Sequence, residues 1–134
     1  VVPDIVQKIL RGQAPLHILG DGRQVRHYTY GGDLAEGIRL AVESEKAVNE
    51  DFNISTAAGT NVLELAELIW DKIHQGAKPF AYVSDDPYPH DVQRRIPDVR
   101  KAKEVLGYEA TTDLSTMLDE VIPWVGEQIE EGLI

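Results

Sequence analysis

Pro15-Leu16-His17-Ile18-Leu19-Gly20-Asp21-Gly22-Arg23-Gln24-Val25-Arg26 is the stretch on which the fold class turns. Leu16 to Leu19 is a short apolar run bounded by Pro15 and Gly20, the pattern of a strand. Gly20-Asp21-Gly22 reads as a turn, and Val25-Arg26-His27-Tyr28-Thr29-Tyr30 as a second strand rich in β-formers. The spacing predicts a β-hairpin. The same glycines fall one short of a dinucleotide fingerprint, because Val25 stands where the third Gly belongs. That fingerprint needs a helix N-terminus to receive the pyrophosphate, and a strand is read here instead, so a dinucleotide loop is rejected.

Outward from this stretch, helices and short strands alternate. Upstream, Val2, Ile5, Val6, Ile9 and Leu10 share one face of a helix from Pro3 to Arg11, with Gly12 as its stop. Downstream, Gly31-Gly32 breaks the strand and Asp33 is expected to cap a helix that buries Leu34, Ile38, Ala41 and Val42. Phe52 to Ser55 is a strand candidate. Asn61-Val62-Leu63-Glu64 has capping-box spacing, opening a helix that buries Val62, Ala66, Ile69, Trp70 and Ile73. Pro79 to Val83 reads as a further strand. Ser84 to Pro97, with three Pro, three Asp, one His and two Arg, reads as a long loop. Asp98 is expected to cap a short helix stopped by Gly107, and a last helix from about Asp113 carries Leu114, Met117, Leu118, Val121, Val125 and Ile129, kinked at Pro123. About five helices with short strands place the chain in the mixed α/β (α+β) class, as one domain over 1–134.

The chain has 134 residues, 43% of them hydrophobic and 27% charged, the balance of a globular domain. Cys is absent, which excludes disulfides, thiol catalysis and Cys-ligated zinc. No apolar run is long enough to span a membrane and no signal-peptide pattern is present, so a cytoplasmic location is expected. Val1 in place of Met implies sequence missing upstream. A net charge of −10 should repel nucleic acid and anionic membranes. An anionic ligand would need a local cluster of Arg.

Arg26 shares a strand face with Tyr28 and Tyr30, a setting suited either to a phosphate or carboxylate or to a surface ion pair. Arg94 and Arg95, late in the long loop, raise the same alternative. Asp85, Asp86, His90 and Asp91 could surround a cation, but a solvated acidic loop has the same composition, and no metal site is assigned.

Five segments add a further reading. Val2-Pro3-Asp4-Ile5-Val6, the Pro15 to Arg26 stretch, Asp33-Leu34-Ala35, Phe52-Asn53-Ile54 and Pro97-Asp98-Val99-Arg100-Lys101-Ala102-Lys103-Glu104-Val105-Leu106-Gly107-Tyr108 occur in that order. Together they resemble the C-terminal portion of the NAD-dependent epimerase/dehydratase family, extended short-chain dehydrogenases that act on nucleotide sugars. The resemblance implies a substrate-binding part whose N-terminal Rossmann domain, holding NAD(P), is absent, so no cofactor is expected on this chain. It also implies that Arg26 binds the substrate diphosphate, that His17 and Leu19 lie near the base, and that Asn53 lies near the nucleotide or sugar. The family's second diphosphate Arg precedes the Pro97-Asp98 motif. Here Tyr88 stands at that position in Tyr88-Pro89-His90-Asp91, leaving Arg94 or Arg95 as a substitute, or one Arg fewer. The run from Gln93 to Asp98 leans weakly toward the decarboxylase branch.

The family's catalytic base is the Tyr of a Tyr-x-x-x-Lys pair. None of Tyr28, Tyr30, Tyr82, Tyr88 and Tyr108 has Lys four residues on. No catalytic residue is therefore assigned, and the chain by itself is expected to be inactive. Its expected partners are a nucleotide sugar, its own Rossmann domain and, through an uncovered apolar face, a second copy. Two rival readings are a free-standing nucleotide-sugar sensor and a protein-interaction module that retains only the fold.

Overall fold

In chain order the elements are α1 (Val2–Leu10), β1 (Leu16–Leu19), β2 (Val25–Arg26), α2 (Gly31–Glu43), β3 (Thr60–Asn61), α3 (Val62–His74), β4 (Tyr82–Asp85), α4 (Arg100–Leu106) and α5 (Leu114–Glu130), with a 3-10 turn at Glu45–Ala47. The computed structural model describes all 134 residues. It is the expected mixture of five helices and short strands, but its pairing corrects the hairpin. β1 runs parallel to β4, from Leu16 opposite Tyr82 to Leu19 opposite Asp85. A parallel partner must be reached by a long crossover rather than a tight turn. Gly20 (φ +72°) and Gly22 (φ +71°) turn the chain out of β1, and Val25–Arg26 pairs with β3 instead. The second strand also ends at Arg26, well short of Tyr30.

The chain divides into two compact units. The first comprises Val1–Gln24, Asn61–Gln93 and Ser115–Ile134. Its largest fully buried side chains are Val6, Leu16, Leu65, Ile69, Leu118 and Val125. They come from α1, β1, α3 and α5, so the amphipathic stripes of three helices close over the inner face of β1. Leu16 and Ile18 point into this core while His17 and Leu19 point out. The expected faces of α1 and α3 are largely observed, with Ile5, Val6 and Ile9 buried on one and Val62, Ala66, Ile69 and Trp70 on the other. Leu10 is the exception, lying on the exposed side of α1. α5 runs unbroken through Pro123 and buries Met117, Leu118 and Val125.

The second unit comprises Val25–Thr60 and Arg94–Leu114 and has a thinner core. Here α4 packs against α2 and the 3-10 turn, with Ala102 and Tyr108 buried. Gly37 of α2 allows this approach, since a Cβ there would stand 2.3 Å from Ile54 Cγ2 and 2.9 Å from the Tyr108 ring. The anticipated buried stripe of α2 is a correction. Leu34, Ile38 and Val42 are exposed, Val42 by 81%. Their apolar periodicity is real, but the face toward α4 is the one carrying Gly37. Asp33 is not the cap either. Tyr30 takes that position, and Asp33 Oδ2 accepts from the Thr112 backbone N–H at 2.9 Å. Phe52 to Ser55 forms no strand, and β4 begins three residues later than read, at Tyr82. Val99 occupies the cap position of α4, with Asp98 one residue earlier accepting from the Arg100 N–H at 3.1 Å.

Candidate functional site

Within the second unit, β2 carries the arginine that matters most. Val25 forms a parallel bridge with Arg94, and the Arg95 N–H donates to the Val25 carbonyl at 3.4 Å. Alternation along an extended chain puts successive side chains on opposite faces. Val25 and His27 both meet the Gly59 backbone, the position of a Gly59 Cβ lying 3.0 Å from Val25 Cγ1 and 3.2 Å from His27 Nε2. That leaves Arg26 and Tyr28 on the other face. Arg26 is half-buried, and its Nη1 donates to the Val25 carbonyl at 2.9 Å, which restricts the guanidinium. Tyr28 has a buried hydroxyl with no hydrogen-bond partner. Burial pushes its phenol upward in pKa, and the neighbouring Arg26 charge opposes the rise.

The segment after β2 is pinned by its own polar groups. His27 Nδ1 lies 2.9 Å from the Thr56 carbonyl, and the Thr29 hydroxyl lies 3.0 Å from that of Ser55. Asn53 Nδ2 donates to the Asp98 carbonyl at 3.0 Å, tying the chain before α4 to this edge. Asp98 itself is gripped by the Arg100 guanidinium at 2.9 and 2.6 Å, which holds its carboxyl down at about 2.

The first unit holds the other candidates. His17 Nδ1 stands 2.9 and 3.1 Å from the two Asp85 oxygens, a diagonal pair across β1 and β4. The Leu19 carbonyl accepts from Gln24 Nε2 at 3.2 Å. Beside them opens a cleft of about 520 Å³, lined by Gly20, Asp21, Gln24, Asp85, Asp86 and Asp91 among others. Four carboxylates make this cleft suited to hydroxyl and N–H donors and hostile to a phosphate. Tyr88 stands out into solvent, 69% exposed. No three His, Asp or Glu side chains gather where they could hold one metal ion.

Thus His17, Leu19 and Tyr88 belong to the first unit, and Arg26, Asn53 and Arg95 to the second. The first unit carries 13 of the 23 acidic residues and 5 of the 13 Lys and Arg. The second holds ten acids and eight cations, close to balance, and so is the better host for an anion. Asp85 was read from the sequence only as a possible cation ligand, and the Tyr28 hydroxyl was not singled out as a binding group. Alternation already placed Tyr28 beside Arg26, but its lost partner is visible only once its burial is known. The Gly20-Asp21-Gly22 turn leads into β2 and offers no helix N-terminus to a pyrophosphate, so this turn is not a dinucleotide loop.

Comparison with known proteins identifies the kind of fold to which this mixed α/β architecture belongs. Residues 1–121 match the family described as GDP-mannose 4,6 dehydratase. The chain belongs to this family, within the NAD-dependent nucleotide-sugar epimerases and dehydratases of the short-chain dehydrogenase class. It is 36% identical over 109 residues to UDP-glucuronic acid decarboxylase 4 of Arabidopsis thaliana, covering 81% of this chain and 23% of that protein. It is 31% identical over 130 residues to the UDP-N-acetyl-alpha-D-glucosaminuronate decarboxylase of Bacillus cytotoxicus, covering 95% and 40%. Among solved structures, the UDP-glucose 4-epimerase of Thermotoga maritima with UDP-glucose superposes with a TM-score of 0.80 at 34% identity, over 96% of this chain and 40% of that one. The UDP-glucuronic acid 4-epimerase of Bacillus cereus, in complex with UDP-glucuronic acid and NAD, gives 0.81 at 27%, over 92% and 38%. The chain therefore spans about a quarter to two fifths of the length of these relatives.

Proposed function

We propose that residues 1–134 are the C-terminal, nucleotide-sugar-binding part of a cytoplasmic NAD-dependent epimerase, dehydratase or decarboxylase. The observation that carries this reading is Arg26, half-buried on a short strand of the less acidic unit and held by its own Val25 carbonyl. A guanidinium fixed in this way loses less freedom on gripping a diphosphate than a surface Lys would. Asn53, His17, Leu19, Tyr88 and Arg95 complete the proposed substrate contacts. His17 and Leu19 point outward from β1, as residues that face a base must.

In the complete enzyme, NAD would accept and return hydride from its seat in the Rossmann domain. The residues of this chain bind and orient the sugar nucleotide. With no Tyr-x-x-x-Lys base in its sequence, the chain alone is inactive in this reading. The exposed Leu34, Ile38 and Val42 would then be covered by that Rossmann domain, or by a second copy when it is missing.

Calorimetric titration of the chain with UDP-glucose, GDP-mannose and a dTDP-sugar tests the binding role. Arg26→Ala is expected to weaken the bound ligand at least tenfold, roughly 1.4 kcal/mol. An unchanged dissociation constant removes Arg26 from the site.

A further inference from the structure

The two edges of the β1–β4 sheet differ. The Leu16 N–H donates to the Ala81 carbonyl at 2.9 Å and the Gly20 N–H to the Asp85 carbonyl at 2.9 Å, which fixes the alternation along the ladder. Leu16 and Ile18 therefore turn their peptide groups toward β4, and Val83 and Asp85 turn theirs toward β1. The residues between them point outward, His17 and Leu19 on one edge, Tyr82 and Ser84 on the other. Side chains close the β1 edge. Gln13 Oε1 accepts from the His17 N–H at 3.0 Å, Lys8 Nζ donates to the His17 carbonyl at 3.3 Å, and Gln24 Nε2 holds the Leu19 carbonyl. No such cover reaches β4, where the N–H and C=O groups of Tyr82 and Ser84 stay open and both residues are exposed.

We propose that the free edge of β4 receives an extended, positively charged segment of another protein as a third strand. The outward peptide groups of Tyr82 and Ser84 supply donors and acceptors in the alternation that strand addition uses. Side chains beside the edge supply selection. The Tyr82 ring lies nearly parallel to that of Phe80, with centroids 5.8 Å apart, and Trp70 meets Phe80 edge-on at 5.9 Å. This braced pair offers apolar surface to alternate residues of an added strand. At the other end of β4 stand Asp85 and the exposed Asp86. The lysine ion pairs of this unit, Lys8 with Asp4 and Lys72 with Asp119, leave Asp86 uncompensated. The unit carries 13 acids against 5 Lys and Arg, a field that attracts a basic strand. It repels a second copy of a chain whose net charge is −10. Such docking does not depend on the nucleotide-sugar reading.

The test is an NMR titration of the isotope-labelled chain with a short capped peptide alternating Lys and Val. Its controls are the Glu–Val counterpart and a Lys–Val peptide methylated on every backbone nitrogen. The Tyr82 and Ser84 amides are expected to shift and gain protection from exchange, while those of Val83 and Asp85, already turned to β1, change little. The Glu–Val peptide should bind at least about tenfold more weakly. The methylated peptide keeps its charge but loses its donors, and should lose at least about tenfold as well. Ser84→Pro removes one outward N–H, leaves the ladder to β1 whole, and should weaken the Lys–Val peptide about tenfold. Methylation alters the peptide alone, so it decides the matter even if Ser84→Pro fails to fold. Equal binding of the methylated peptide, or no loss in a folded Ser84→Pro chain, overturns the proposal, because charge alone would then hold the ligand. A chain that does not bind the Lys–Val peptide overturns it too. So do Tyr82 and Ser84 amides that shift with chain concentration and no peptide, which would give the edge to a second copy.

Discussion

Gly37 shows how much a single missing side chain can decide. In a helix interior Ala is favoured over Gly by about 1 kcal/mol, so propensity alone predicts that Gly37→Ala stabilises α2. The added Cβ, however, would stand 2.3 Å from Ile54 Cγ2 and 2.9 Å from the buried Tyr108 ring. Overpacking of this kind costs about 1–3 kcal/mol, and it should win because Tyr108 has nowhere to retreat. Denaturant unfolding is expected to show Gly37→Ala destabilised, and a rise in midpoint would contradict the packing described. Asp98 offers a second test at one residue. Its carboxyl is depressed to about 2, chiefly by the Arg100 guanidinium, so its contribution to stability is present above the ordinary carboxylate value and fades as pH falls toward 2. An NMR titration should place the Asp98 midpoint near 2, and Arg100→Ala should return it toward 3.8. A midpoint already ordinary in the unaltered chain would remove the ion pair from solution.

At the scale of elements, local chemistry and tertiary partnership separate cleanly. The capping box of α3 was legible because all its parts lie within four residues. Asn61 Oδ1 accepts from the Glu64 N–H at 2.8 Å, and Glu64 returns the bond to the Asn61 N–H at 3.1 Å. Asn61→Ala should therefore cost about 1 kcal/mol in thermal or chemical unfolding. No loss would mean the reciprocal bonds do not form. The hairpin failed for the opposite reason. Nothing near Leu16–Leu19 discloses that its partner is Tyr82–Asp85, more than sixty residues away, because a four-residue apolar strand pairs equally well with any suitable edge. The α2 stripe failed differently again. The periodicity of Leu34, Ile38 and Val42 suits a buried face, but burial depends on a second surface that periodicity cannot supply, and these three side chains are exposed. Val42→Glu is accordingly expected to shift stability by less than about 0.5 kcal/mol. A loss of several kcal/mol would show that the stripe is already buried in solution, as a second copy seated on it would produce.

For the whole molecule, charge and coverage point the same way. A chain with a net charge of −10 concentrates most of its excess acid in the unit that holds the cleft and leaves the unit that holds Arg26, Arg94 and Arg95 near balance. Of the candidate site, the arginines were legible as cations on or near a strand, but their faces were not, since facing depends on the bridge between Val25 and Arg94. Asn53 was legible only through family resemblance, and the structure shows it bonded to the Asp98 carbonyl. The chain matches only 23% and 40% of the length of two of its curated relatives, and recognition is the role proposed for this part.

The most direct test of that role is ligand-observed NMR on the unaltered chain, with UDP-, dTDP-, GDP- and CDP-sugars in turn and NAD as the control. Binding of one nucleotide class, its loss in Arg26→Ala and silence toward NAD is the predicted result. NAD binding, or an Arg26→Ala chain that binds every sugar nucleotide as the unaltered chain does, would contradict the account.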